Sequence, residues 1–128
     1  MMNIIVMGHG GYAEGVKNNL SMVVGVPDYM YFVDLNKEDN LSTFDNKVRE
    51  LLEKAGDKQV LFACDLVGAS PFRTAAMLTA ENPDKYCTVA GLNAMAYMEL
   101  AMSNEEEAKN AAEQAVKTTK GSVAKFPE

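Results

Sequence analysis

The chain has 128 residues, 48% of them hydrophobic and 23% charged, with 12 Lys and Arg against 18 Asp and Glu for a formal charge of −6. Such a length and composition fit one globular domain, residues 1–128, whose core can fold without disulfide or metal staples. The acidic balance speaks against nucleic acid and against an anionic membrane surface, which both need a basic face, and leaves a basic protein as the natural partner.

Residues 3–7 (NIIVM) are a short apolar run, rich in branched side chains and ended by glycines, that reads as a buried parallel strand. A helix is predicted from Tyr12 to about Val24, with Val16, Leu20, Val23 and Val24 on one face and Gly25 and Pro27 closing it. Residues 29–33 (YMYFV) read as the second strand. Leu41, Phe44, Val48, Leu51, Leu52 and Ala55 recur at helical spacing, and Gly56 ends that helix. Residues 60–64 (VLFAC) are the third strand, residues 65–70 (DLVGAS) a loop, and Pro71 suits the first turn of a helix that stops at Asn82-Pro83. Residues 86–90 (YCTVA) form the fourth strand, closed by Gly91. Asn93 then caps a helix holding Met95, Met98, Leu100 and Met102. Ser103 and Glu106 suit a capping box for a last helix, and Glu105 to Glu107 a solvated start. The apolar face of that helix is Ala108, Ala111, Ala112, Ala115 and Val116, Gly121 ends it, and residues 122–126 (SVAKF) read as a short edge strand. Strands and helices that alternate in this way build an open α/β fold, a parallel sheet with helices on both faces.

Sites in such sheets lie beyond the carboxyl ends of the strands, where strand order reverses. With the flavodoxin-like order 2-1-3-4, the ends of strands one and three adjoin, so His9 and Asp65 face each other across a crevice. His9 is the only histidine, set in Gly8-His9-Gly10-Gly11, where glycine allows close approach of another backbone and exposes the ring. An imidazole titrating at about 6.5 is a good neutral nucleophile near pH 7. A carboxylate bonded to one ring nitrogen fixes the tautomer, aims the far nitrogen outward and steadies the cation-like ring formed on bonding. Against this stands the plain alternative of an incidental histidine in a glycine turn. Two helix starts, after Gly10-Gly11 and at Ser70-Pro71, converge there with free N–H groups suited to a phosphoryl dianion. Ser70 either caps its helix or donates to a phosphoryl oxygen.

No P-loop, dinucleotide fingerprint, zinc cluster or G-x-S-x-G elbow is present, so an anion cradle here suits relay of a phosphoryl group rather than its transfer from a nucleotide. No metal or cofactor is expected. Most of the nine methionines read as core-facing, with Met95, Met98 and Met102 in core or subunit interface. Cys64 reads as a small buried hydrophobe, and Asp34, though near enough to reach the crevice, as part of a solvated loop. Two cysteines without CxxC spacing, and no signal-like or membrane-spanning run, place the protein in the cytoplasm.

Residues 4–15 (IIVMGHGGYAEG), together with residues 65–73 (DLVGASPFR) and residues 90–93 (AGLN), resemble the mannose-type enzyme IIA of the bacterial sugar phosphotransferase system. The resemblance covers the order of elements through the whole chain. It implies a homodimer in which a terminal strand, here residues 122–126, is exchanged as an antiparallel edge. It implies a histidine, His9, that takes a phosphoryl group from the phosphocarrier protein HPr and passes it to enzyme IIB, for sugar uptake through the IIC/IID membrane pair. Asp65 matches the aspartate that bonds the active histidine, and Ser70 the nearby hydroxyl residue. Mannose-specific members have threonine after that aspartate where this chain has Leu66, so that hydroxyl donor is either absent or replaced by a backbone N–H; Gly10, Gly11, Leu66 and Ser70 are the expected phosphoryl-binding residues. The D-L-x-G-x-[ST]-P-F-R form is closer to members serving N-acetylgalactosamine-like sugars. Alternatives are the phosphotransfer subunit of a dihydroxyacetone kinase, which is similar in fold, and a non-catalytic regulatory dimer module.

Overall fold

A computed structural model describes residues 2–103 and 107–128. Four parallel strands, β1 (Asn3–His9), β2 (Met30–Leu35), β3 (Val60–Cys64) and β4 (Tyr86–Ala90), lie in the order β2-β1-β3-β4. The helices are α1 (Tyr12–Val23), α2 (Leu41–Ala55), α3 (Ser70–Glu81), α4 (Ala94–Met102) and α5 (Ala108–Ser122).

The central strands β1 and β3 are buried on both faces, which is why they read as unbroken apolar runs. Alternation along them still sorts side chains into two cores. Ile4, Val6, Leu61 and Ala63 face Ala13 and Leu20 of α1, Ala96, Tyr97 and Leu100 of α4, and the alanine face of α5. Ile5, Met7, Phe62 and Cys64 face Phe44 and Val48 of α2 and Ala75 and Leu78 of α3. Alanine at Ala108, Ala111, Ala112 and Ala115 leaves α5 without bulky side chains on its buried face.

Three expectations need adjustment. First, β1 and β2 run two residues further than their apolar patterns, to His9 and Leu35. The apolar pattern stops at Met7 because β3 pairs with β1 only as far as Met7↔Cys64, whereas β2 continues through Gly8↔Asp34 and His9↔Leu35. Second, Met95 and Met102, expected in core or subunit interface, are exposed in the chain, as are Met22 and Met77, which removes them from the core and leaves the interface alternative. α4 has only nine residues, and Ala96, Tyr97 and Leu100 take its inward positions. Third, α5 runs to Ser122 rather than stopping at Gly121, and residues 123–128 pair with no strand among the described residues. Val123 is extended (φ −76°, ψ 126°), and Phe126 is 96% exposed. The Ser103–Glu106 capping box and the solvated start at Glu105 involve residues outside those described. Among the described residues, no helix is long and apolar enough to cross a membrane.

Candidate functional site

β1 and β3 part after Met7 and Cys64, so a crevice opens between their ends at the reversal of strand order. The Asp65 N–H donates to the Met7 carbonyl (3.2 Å), which brings Asp65 alongside the continuing end of β1. Asp65 and His9 meet as expected: Nδ1 lies 2.7 Å from Asp65 Oδ2. The same oxygen accepts the His9 backbone N–H at 3.0 Å, and Oδ1 accepts the Leu66 N–H at 2.8 Å. An ionised carboxylate only accepts, so Nδ1 carries the proton and Nε2 keeps a free lone pair. The His9 side chain is 40% exposed and that of Asp65 only 11%, so the acid is held in the wall while the ring stands at the rim.

The glycines around His9 have distinct tasks. A Cβ on Gly8 would lie 2.5 Å from Cδ2 of Tyr12, so Gly8 admits the Tyr12 ring rather than another backbone. Gly10 has φ 59°, the left-handed conformation that turns the chain out of β1 toward α1. Behind this turn the Tyr12 and Tyr97 hydroxyls are hydrogen-bonded, with their rings edge to face. Burial pushes both phenols up, Tyr97 strongly, so this pair stays neutral. Cys64 behind Asp65 is fully buried and its thiol is pushed up to about 12 by desolvation, in keeping with a packing role.

Asp34 lies within β2, not in a solvated loop. Its Oδ1 accepts the Ala13 N–H (2.9 Å) and its Oδ2 the Glu14 N–H (3.1 Å), so it caps the start of α1 from the neighbouring strand. A signal for this existed: Gly11 is the N-cap of α1 and has no side chain to accept those amides. Which residue supplies the acceptor depends on the pairing of β1 with β2.

The supply of anion donors is narrower than two open helix starts. Gly10, expected as a phosphoryl donor, gives its N–H to the Leu35 carbonyl (2.9 Å), and Leu66 gives its own to Asp65. The Gly11 N–H has no partner among the described residues. At α3 the N-cap is Ala69, without a side-chain cap, and Ser70 is the first helical residue. Capping therefore does not occupy the Ser70 hydroxyl. The N–H groups of Gly68, Ser70 and Phe72 have no partner among the described residues. Exposed Leu66 and Val67 form an apolar rim beside them. On the other side an open, mainly apolar groove is lined by Gly11, Tyr12, Gly15, Val16, Leu92 and Tyr97. Among the described residues no group of His, Cys, Asp or Glu is placed to hold a metal ion.

Comparison with known proteins identifies relatives of this chain. Residues 3–120 match the family EIIA-man, described as PTS system fructose IIA component. The chain is 27% identical over 106 residues to the PTS system fructose-specific EIIA component of Bacillus subtilis, covering 82% of this chain and 72% of that one. It is 28% identical over 105 residues to the PTS system mannose-specific EIIAB component of Escherichia coli, covering 81% of this chain but only 32% of that longer one. Among solved structures, the mannose/sorbose specific IIA subunit of the phosphotransferase system from Enterococcus faecalis superposes with a TM-score of 0.90 at 29% identity, over 99% of this chain and 96% of that one.

Proposed function

This chain belongs to the EIIA-man family of sugar phosphotransferase system IIA components, and from that premise we propose that it is a phosphoryl carrier in which Nε2 of His9 accepts the group from HPr and hands it to enzyme IIB. The observation that carries the proposal is the 2.7 Å contact between His9 Nδ1 and Asp65 Oδ2 at the rim of the crevice.

The chemistry follows from that contact. Asp65 holds the proton on Nδ1, so the Nε2 lone pair attacks phosphorus in line with the phosphohistidine nitrogen of HPr. One P–N bond forms at Nε2 as the other breaks at HPr, whose nitrogen recovers its lone pair. No proton leaves His9, and the phosphorylated ring is cation-like, next to the Asp65 carboxylate. Spread negative charge on the phosphoryl oxygens is met by the N–H groups of Gly11, Gly68 and Ser70 and by the Ser70 hydroxyl. Positioning and charge stabilisation carry such a transfer, because little covalent help is needed. The reverse sequence, with a IIB side chain as attacking group, discharges the carrier.

The apolar rim of Leu66 and Val67 and the groove along α1 would be covered by these partners while transfer excludes water. The net charge of −6 favours basic partner surfaces. A homodimer completed by exchange of residues 123–126 against the free edge of β4, action in the cytoplasm, and coupling through IIB to a IIC/IID membrane pair belong to the same reading. The sugar is not part of it, since the relatives' names differ on that point.

Incubation with labelled phosphoenolpyruvate, enzyme I and HPr is expected to label the protein, and His9→Ala to abolish the label. An unlabelled wild-type protein would overturn the carrier role, and a labelled His9→Ala variant would overturn the site.

A further inference from the structure

We propose that Asp34 is a positioning residue for His9, tying the turn that follows the imidazole-bearing residue to β2 so that Nε2 is held in line for transfer. The inference rests on the phosphoryl-carrier reading and goes beyond it, because Asp34 touches neither the ring nor the open donors.

The turn after His9 is weakly held by its own sequence. Residues 8, 10 and 11 are glycines, Gly10 is left-handed, and the Gly11 N-cap has no side chain. From the β3 side, Asp65 grips the His9 N–H and Nδ1. That grip fixes the tautomer, yet a ring on a mobile turn could still swing as a unit with its aspartate contact stretched. The opposing grip comes from the end of β2. Leu35 takes the Gly10 N–H, and Asp34 takes the Ala13 and Glu14 N–H groups, so both sides of the turn end on two consecutive residues of one strand. The register Gly8↔Asp34 and His9↔Leu35 places those residues directly beside the segment they hold. Bonds from amides to a carboxylate are charge-assisted, and the carboxylate lies at the positive end of α1, so this tie is stronger than a neutral cap. Its negative charge also leaves the start of α3 as the more favourable seat for the phosphoryl dianion. In-line transfer is sensitive to displacements of an ångström, which is the scale on which a loosened turn moves.

The test is Asp34→Asn, which keeps one acceptor oxygen but sets an NH₂ group against the Glu14 N–H. With phospho-HPr as donor, kcat is expected to fall about 10- to 100-fold with KM unchanged. In the NMR spectrum the His9 imidazole resonances should shift and broaden. Asn40→Ala is the matched control: it removes the cap of α2, whose Asn40 side chain accepts the Thr43 N–H at 2.8 Å, and should leave both kcat and the ring spectrum as in wild type. Should Asp34→Asn not fold, Asp34→Ser serves the same comparison, and slow amide exchange at Gly10, Ala13 and Glu14 in the wild-type protein is required in either case. A wild-type protein that takes no label defeats the carrier reading, and the ring spectrum then decides the positioning claim alone. Wild-type kcat with a wild-type ring spectrum in the folded Asp34 variant, or fast exchange at those amides, would overturn it.

Discussion

Asp65 bonds three donors with two oxygens, and the donors differ in consequence. The Leu66 and His9 amides seat the carboxylate, whereas Nδ1 of His9 is the contact that would change in strength in the proposed transfer, when the ring becomes cation-like. An amide at this position still accepts the Nδ1 proton but has no charge to answer the phosphorylated ring. A hydrogen bond to a charged group contributes about 1.5–3 kcal/mol, so Asp65→Asn should slow phosphoryl uptake about 10- to 100-fold while far-ultraviolet circular dichroism stays unchanged. Single-turnover transfer from phospho-HPr measures it, and an unaltered rate would remove Asp65 from its role. His9 and Asp65 were legible in the sequence because each lies within two residues of the end of an apolar run, at Met7 and Cys64. Asp34 was not, because nothing in residues 30–35 says that an amide pair from residues 13 and 14 will be opposite it.

The same contrast recurs among the secondary elements. α2 and α4 are capped locally: Asn40 and Thr43 form a reciprocal box, and Asn93 accepts the Ala96 N–H. Three other helix ends are closed from far along the chain. Asp34 closes α1, Gln59 Oε1 accepts the Ala108 N–H at the start of α5 (2.7 Å), and the Tyr29 hydroxyl donates at the end of α4, near the carbonyls of Leu100 and Ser103. Loss of such a cap is expected to cost about 0.5–2 kcal/mol, so Gln59→Ala should lower the urea midpoint by that amount of stability with phosphoryl uptake intact. A midpoint equal to wild type would show that water replaces the side chain at no cost. Helical periodicity found every helix in the described chain, but it left open whether the methionines of α4 face the core or a subunit interface. That helix is apolar nearly all round, and a pattern without a polar face does not say whether Met95 and Met102 or Ala96 and Tyr97 point at the sheet.

At the scale of the molecule, both cores depend on acidic groups that must stay neutral. Cys64 is the clearest: its thiol is raised from 9.0 to about 12, mainly by desolvation. The unfolded chain releases this proton above about 9, whereas the folded chain keeps it until about 12. In that window the unfolded state binds fewer protons, so stability is complete below it and falls as pH rises through it, by about 1.4 kcal/mol per pH unit for each such group. Tyr12 and Tyr97, also raised by burial, add to the loss at higher pH. Urea midpoints measured across this range should fall steeply for wild type and less steeply for Cys64→Ala, and parallel curves for the two proteins would contradict the burial of the thiol.

Much of this architecture was contained in the order of residues alone: alternation of apolar runs with amphipathic stretches means parallel strands with covering helices, and a histidine and an aspartate just past two apolar runs mark the edge proposed as reactive. Those are local properties, set by hydrophobic period, by turn residues and by connection handedness. Tertiary structure decided what depends on two distant segments meeting. It chose which amides stay open to an anion, since Gly10 and Leu66 have partners while Gly11 and Ser70 have none among the described residues. It extended β1 to His9 through pairing with β2, and it set Asp34 beneath the first helix. Hydrogen bonds are satisfied by whichever group lies within about 3 Å, and that neighbour is a fact of packing, not of sequence distance.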